Sequence, residues 1–324
     1  MSTTAENRYL ITGAMGCIGA WVLHHLHERG QRAVTLDISE DRHRLDLLLS
    51  PEEQEEITFV KGDLTDTDQV IRTLQEHAIT HVIHLGALQV PFCRANPVLG
   101  ARVNVVGTVN IFEAARAAGI NHLAYASSIG VYGPAEVYPP GALPNDAQPA
   151  PRTLYGVYKV ANEGTANVYW HDYGISSTAL RPYTIYGVAR DQGLTSEPTT
   201  AMLAAAAGQP YEIGFGGTMQ FQWASDVAQQ FIDAAGQSLG GAHVFNLGAE
   251  PITVAALVEE IHAIRPGASI SHVETKLPFP EAFDGSELAQ HVSTVYETPL
   301  ATGIRKTIEQ FERCLESGLV QAPQ

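Results

Sequence analysis

Several groups of residues have types and spacings that can do chemistry. The run Gly13-Ala14-Met15-Gly16-Cys17-Ile18-Gly19 follows an apolar stretch directly and opens a helical pattern. A turn that tight needs residues without a Cβ. It lets the backbone approach a pyrophosphate, and the helix N-terminus behind it offers free N–H groups and the positive end of a dipole. The spacing is GxxGxxG, one residue longer than the usual dinucleotide fingerprint. Asp37 ends the next apolar stretch, 18 residues beyond Gly19. A carboxylate there can accept hydrogen bonds from both adenosine ribose hydroxyls and repel a 2′-phosphate, or it can cap a helix. Asp63, in Lys61-Gly62-Asp63-Leu64, ends a third stretch and suits either the adenine amine or a simple turn.

A second group can move a proton. In Tyr155-Gly156-Val157-Tyr158-Lys159, residues four apart on a helix share a face, so Tyr155 and Lys159 point the same way. A phenol with a free pKa of about 10 is a poor base at neutral pH. A nearby ammonium and a positive nicotinamide ring would favour phenolate and bring it toward working range. Ser127-Ser128-Ile129-Gly130-Val131-Tyr132-Gly133 follows a fifth apolar stretch at its carboxyl end, the edge of an open α/β sheet where ligands bind. A hydroxyl there can bond a substrate oxygen, although serines also form turns at strand ends.

The elements that must position these residues alternate. Short runs at Tyr9–Thr12, Ala33–Asp37, Thr58–Lys61, His81–Leu85, Leu123–Ser127 and Ser176–Leu180 suit strands buried on both faces. Between them, Ile18–Arg29, Asp66–His77, Asn96–Ala118 and Thr153–Tyr173 are periodic enough for amphipathic helices. The expected fold is α/β: a Rossmann-like doubly wound parallel sheet with a smaller C-terminal α/β substrate lobe. A soft boundary divides a dinucleotide domain, 1–182, from a substrate lobe, 183–324, and leaves room for the lobes to interleave. In that lobe, helical patches at Thr199–Ala207, Ser225–Ala235, Val254–Ile264 and Thr302–Glu316 alternate with strand-like pieces such as Gly241–Leu247. The Pro-rich stretch Pro134–Pro151 is expected as a surface loop beside the site.

Composition narrows the partners. Of 324 residues, 45% are hydrophobic and 17% charged, and the net charge is −16, which argues against nucleic acid or an anionic membrane surface. One local pocket can still oppose that sign toward a small anion. Cys17, Cys93 and Cys314 form no CxxC pair, so neither a disulfide framework nor a thiolate zinc site is expected. The N-terminus lacks the order of a signal peptide, and no stretch approaches the roughly 18 uninterrupted apolar residues of a membrane span. A soluble, cytoplasmic protein is expected. Among 13 histidines, His24, His25 and His27 share one helix, where they are expected on different faces, with no metal. The acidic run Glu52-Glu53-Gln54-Glu55-Glu56 fits a solvated helix face.

Taken together, the chain resembles the extended short-chain dehydrogenase/reductase family, which contains NAD-dependent sugar epimerases and dehydratases. The resemblance covers at least residues 8–250. It rests on Gly13/Gly16/Gly19, Gly62-Asp63-Leu64, His84-Leu85-Gly86-Ala87, Asn104 in Val103-Asn104-Val105-Val106-Gly107-Thr108, Ser127-Ser128 with Val131-Tyr132-Gly133, Tyr155 with Lys159, Leu180-Arg181-Pro182 and Asp226-Val227-Ala228. It implies NAD as cofactor, bound by Gly13, Gly16, Cys17, Ile18 and Gly19, by Asp37, Asp63 and Leu64, by Leu85, Gly86, Ala87 and Asn104, and by Tyr155, Lys159, Pro182 and Tyr183. Tyr155 would be the general acid/base, Ser128 would hold the reacting oxygen, and Lys159 would bind the nicotinamide ribose and tune Tyr155. Homodimers through the helices matching Asn96–Ala118 and Thr153–Tyr173 are implied as well.

The departures from that pattern are as informative. Dehydratases of the family carry an acidic pair where this chain has Ile129 and Gly130, so a 4,6-dehydratase is excluded. Nucleotide-sugar enzymes usually have Asn where Thr184 stands, and often Arg where Met219 precedes Asp226 by seven residues. Their Arg-x-Gly-Asp run has no match in Phe279–His291. A buried diphosphate without cations would bind poorly. The expected reaction is therefore NAD-dependent oxidation of a secondary alcohol of a sugar, sugar acid or related polyol, and epimerisation if the ketone is reduced on its other face. Gln89, Ser127, Ser128 and Arg190 are the candidate substrate ligands, Arg190 for a carboxylate. Two alternatives stand beside this: a nucleotide-sugar 4-epimerase with unfamiliar anchors, and a non-catalytic NAD sensor, against which the Ser/Tyr/Lys set speaks.

Overall fold

The computed structural model describes residues 7–323. Its strands are β1 (Arg8–Thr12), β2 (Arg32–Asp37), β3 (Thr58–Lys61), β4 (His81–His84), β5 (His122–Ala126), β6 (Ser176–Arg181), β7 (Thr184–Tyr186), β8 (Tyr211–Ile213), β9 (Thr218–Trp223), β10 (Ala242–Asn246), β11 (Pro251–Thr253) and β12 (Ile270–His272). The main helices are α1 (Cys17–Glu28), α2 (Thr67–Glu76), α3 (Gly107–Ala118), α4 (Leu154–Tyr173), α5 (Glu197–Ala207), α6 (Ala224–Gly236), α7 (Val254–Ile264) and α8 (Leu300–Glu316).

Seven strands form one sheet in the order β10-β6-β5-β4-β1-β2-β3, every pair parallel. In the inner strands the apolar runs are continuous because both faces are covered, whereas the edge strands β3 and β10 are only partly buried. Along β1, Tyr9 and Ile11 enter a core shared with α1 and α6, while Leu10 enters the opposite one with Val82, Leu74 and Phe112. This is the Rossmann-like doubly wound sheet expected from the sequence. The order in which strands are added reverses between β1 and β4, which opens a crevice at their carboxyl ends.

Local chemistry sets the helix boundaries. The Asp66 side chain accepts from the backbone of Gln69 to start α2, and Thr153 accepts from Gly156 at 3.1 Å to start α4. Gly174, in left-handed backbone at φ +68°, ends α4. The expected single helix Asn96–Ala118 is interrupted: Pro97–Ala101 and α3 are joined by a π-helical turn, Arg102–Val106. That turn buries Asn104, whose amide bonds both the N–H and the carbonyl of Leu88, at 2.7 and 2.9 Å.

The stretch read as Gly241–Leu247 is β10, and it pairs with β6 in the main sheet rather than joining a separate lobe. With α6 packed on α1 and β5, residues 224–246 return to the first sheet. The remaining C-terminal chain forms a three-stranded sheet, β11-β9-β7, a two-stranded sheet, β12-β8, and the helices α5, α7 and α8. Strands of three residues, as in β7, β8, β11 and β12, are too short to leave a period in the sequence. No helix among the described residues is long and apolar enough to cross a membrane.

Candidate active site

A cavity of about 1050 Å³ opens at the carboxyl ends of the central strands. Gly13, Gly16, Cys17, Ile18 and Gly19 line it, as do Asp37, Asp63, Leu64, Leu85, Gly86, Ala87, Tyr155, Lys159, Pro182 and Tyr183. The exception among the expected cofactor residues is Asn104. It does not line the cavity, and its amide is spent on Leu88, so it braces the loop after β4 from behind.

The glycine turn fits a dinucleotide. Gly13 sits at φ +67°, and a Cβ there would lie 2.7 Å from the Cα of Gly86. A Cβ on Gly19 would collide with the Gly13 carbonyl, so the crossing of turn and helix tolerates neither. Gly16 precedes α1 with no side-chain cap, which leaves first-turn N–H groups for an anion. Asp37 accepts the N–H groups of Met15 and Ser39 at 3.0 and 2.9 Å, which holds its carboxylate on the cavity wall. Asp63 accepts from the backbone of Thr65 at 2.8 Å, so it forms the turn and lines the cavity at once. Burial pushes the Cys17 thiol up to about 12, so it contributes packing and backbone here. His84, expected only as part of a motif, is buried between Thr12 and Thr108 hydroxyls, at 2.7 and 3.0 Å, and burial holds it neutral, at about 3.

At the other end, α4 presents Tyr155 and Lys159 to the same space. Lys159 donates to the Ala126 carbonyl at 2.5 Å and lies 5.6 Å from the centroid of the Tyr155 ring. Burial brings its ammonium down to about 8, opposed by the Glu163 charge. The Tyr155 phenol is pushed up by burial; a hydrogen bond with Ser128 and the positive charge of Arg190 oppose this. Arg190 is a cation near the phenol that the sequence reading did not connect with Tyr155, while the Lys159 ammonium is held by the Ala126 carbonyl. Ser128 caps the short helical turn Ile129–Val131, accepting from Gly130 at 3.0 Å. A Cβ on Gly130 would come within 3.3 Å of the Ser128 hydroxyl and 3.4 Å of the Tyr155 ring. A side chain at 130 would crowd the Ser128 hydroxyl and lie against the Tyr155 ring.

Arg190 and Gln89 face each other across Gly193. The position a Cβ would take on Gly193 is 2.8 Å from Gln89 Oε1 and 2.9 Å from Arg190 Nη2. Arg190 Nε is buried without a hydrogen-bond partner, and Nη2 reaches only the Thr195 hydroxyl, at 3.4 Å. Ser127 is different. Its hydroxyl donates to Glu163 Oε1 at 2.5 Å, and Arg181 grips both oxygens of the same carboxylate, at 2.8 and 2.6 Å. The expected substrate ligand Ser127 therefore has its hydroxyl committed to a buried ion pair.

Glu163 and Asp191 were not singled out from the sequence. The available signal for Glu163 was its place four residues beyond Lys159 on the same helix face; for Asp191 there was none. Thr184 and Met219 are buried, joined by a 3.3 Å contact from hydroxyl to sulfur, and neither lines the cavity. The expectation for the histidines is corrected in part. His27 reaches Glu53 and Glu56, but His24 and His25 both reach Glu28, within a group whose donor atoms lie within 4.8 Å of one another. Both ring nitrogens of His25 already hold hydrogen bonds, to Glu28 and Ser225.

Comparison with known proteins agrees with this geometry. Residues 9–248 match the model of the NAD dependent epimerase/dehydratase family. A UDP-glucose 4-epimerase of Mycolicibacterium smegmatis is 31% identical over 94% of this chain and 98% of its own. UDP-glucuronate 4-epimerase 1 of Arabidopsis thaliana is 30% identical over 93% of this chain and 76% of its own. Among solved structures, Thermus thermophilus UDP-glucose 4-epimerase in complex with NAD superposes with a TM-score of 0.76 at 26% identity, covering 94% of this chain and 98% of that one. With its glycine turn, uncapped α1 and Asp37 carboxylate, the chain belongs to the NAD-dependent epimerase/dehydratase family and is an enzyme whose cofactor is NAD.

Proposed function

We propose that the enzyme oxidises a secondary alcohol on a small sugar acid or related polyol, and epimerises it when the carbonyl is reduced again on its other face. The observation that carries this reading is Arg190: a guanidinium with a buried, unpartnered Nε, close enough to Tyr155 to act on its phenol. A substrate carboxylate would satisfy it. Bound NAD, held by the glycine turn and Asp37, would supply the hydride acceptor and donor. Ser128 holds the substrate oxygen, and Tyr155 accepts the hydroxyl proton or gives it back. Lys159 fixes the ribose side of the site from the Ala126 carbonyl. Ile129 and Gly130 cannot carry a proton, so the carbonyl product is not dehydrated.

A nucleotide-sugar 4-epimerase is the second reading, favoured by the substrates named for the curated relatives. Against it, the positions expected to grip a diphosphate are Thr184 and Met219, packed on each other away from the cavity. Arg190→Ala is expected to raise KM about tenfold or more for a carboxylate substrate and much less for a neutral one, since a hydrogen bond to a charged group contributes about 1.5–3 kcal/mol. Aldonates, uronates and free sugars with NAD form the assay panel. Calorimetric titration with UDP-glucose and UDP-glucuronate is the counter-test: micromolar binding with turnover would replace the first reading by the second.

NAD is expected to be preferred over NADP by about 5- to 150-fold in kcat/KM, the effect of about 1–3 kcal/mol from a carboxylate facing a 2′-phosphate. The nearby cations are engaged. Arg42 stacks 3.5 Å over Phe59, and Arg44 bonds Asp191 and the Met15 carbonyl. Equal efficiencies with the two cofactors would remove Asp37 from this role. In the division of labour, residues 7–182 carry the cofactor on a sheet completed by the returning segment 224–246, and the rest of 183–323 closes the substrate side, with Tyr183 and 189–195 bordering the cofactor as well. We also propose a homodimer through the outer face of α4 and the helices before α3, where Leu154, Val157, Val168, Val98, Leu99 and Val106 are exposed. Sedimentation should give twice the chain mass and Val168→Glu the monomer; a monomeric parent rules the dimer out.

A further inference from the structure

Between β7 and α5 the chain runs along the cavity, with Ala189, Arg190, Asp191, Gln192, Leu194 and Thr195 on its wall. Gly187, Ala189 and Gly193 hold left-handed backbone, at φ +128°, +72° and +112°. For Ala189 that conformation is unfavourable, so contacts on either side must impose it. On one side, Trp21 of α1 donates from Nε1 to the Val188 carbonyl at 2.9 Å. On the other, the Asp191 carboxylate receives Arg44 Nε at 2.7 Å and His43 Nε2 at 2.9 Å. Arg44 also donates from Nη1 to the carbonyl of Met15, inside the glycine turn, at 2.9 Å. One guanidinium thus joins the two rims of the cofactor cavity.

We propose that residues 187–195 are a strap across the cofactor cavity and that Asp191, fastened by Arg44 and His43, is the positioning residue that keeps NAD from leaving. The inference rests on the cofactor and is independent of the substrate. A dinucleotide lying on the glycine turn would be held under the bonds between Asp191 and the 43–44 segment, which join the two rims above it. Neither Asp191, Arg44 nor His43 has a part in the hydride or proton path, so their bonds set retention without contributing to the chemistry. Retention suits an enzyme that reuses the reduced cofactor in place. In one that exchanges it at every turnover, opening of the strap enters kcat.

The test is NADH release from the full-length protein, followed by stopped-flow fluorescence during a chase with excess NAD. Asp191→Asn is expected to release NADH about tenfold faster than the parent, and Arg44→Gln similarly. The double variant should release no faster than Asp191→Asn alone, because that change already removes the group Arg44 fastens. Asp191→Glu should restore slow release, which a general loss of packing would not allow. Acceleration of less than about threefold in Asp191→Asn, or single effects that multiply in the double variant, would overturn the proposal. Should Asp191→Asn fail to fold, the parent decides: added salt must quicken release as the ion pair is screened, and salt-independent release overturns the strap.

Discussion

Replacing Tyr155 with Phe is expected to lower kcat by about 10²–10⁴ while leaving NAD affinity nearly unchanged. The phenol is the proposed proton acceptor, the site brings it together with Ser128, and Phe keeps the ring that Lys159 faces. The cofactor keeps the glycine turn, Asp37 and the uncapped end of α1, none of which touches the hydroxyl. The pH profile carries a second signature. Burial holds the phenol above its ordinary range, so the deprotonated form grows as pH rises, and oxidation by the parent should accelerate from neutral toward alkaline pH. Whatever activity Tyr155→Phe retains should lack that rise. Steady-state assays with calorimetric NAD titration decide it. A variant within a few fold of the parent would take Tyr155 out of the proton path. Ser128→Ala is expected to be milder, because Tyr155 still reaches the reacting oxygen.

The second large effect concerns stability. Glu163→Ala is expected to destabilise the fold by about 3–5 kcal/mol, because it strands the Arg181 guanidinium without its counter-charge. The side chains of the pair are only 5% and 11% exposed, and they make two hydrogen bonds to each other. Arg181 also donates to the Tyr132 hydroxyl at 2.6 Å and to the Asn145 carbonyl at 2.9 Å, so it ties the end of β6 to the loop after β5. Glu163 in turn holds Ser127, next to Ser128, and supports the charge of Lys159. Glu163→Gln, which keeps an acceptor for Arg181, should lose less stability while still lowering the charge support for Lys159. Denaturant unfolding of the three proteins is the measurement. A loss below about 1 kcal/mol would reduce the pair to the energetic weight of an exposed salt bridge.

Much of the site was legible before any coordinate. The turn at Gly13, the strand-end carboxylate of Asp37 and the shared face of Tyr155 and Lys159 each depend on spacing within a few residues, and local backbone geometry turns such spacing into position. The inner strands among the first six were readable for the same reason: a strand covered on both faces must be apolar along its whole length, whereas the edge strand β3 stays partly exposed. Arg190 was picked for its charge in a loop, and the structure places it on the wall of the cavity that Tyr155 also lines, where its charge opposes the effect of burial on the phenol.

By itself, then, the sequence determined the order of elements, the cofactor turn and the reactive side chains, all properties of short windows. The tertiary structure decided which polar groups meet across long intervals. Ser127 is turned from substrate ligand to partner of Glu163, 36 residues away, and Arg44 meets Asp191 over 147. It also moved β10 out of the presumed second lobe and onto β6, and it placed Asn104 behind the cofactor loop rather than in it. Periodicity tells which face of an element is apolar but not which element will cover it. A buried charge or amide can be assigned a role only once the fold has chosen the group that satisfies it.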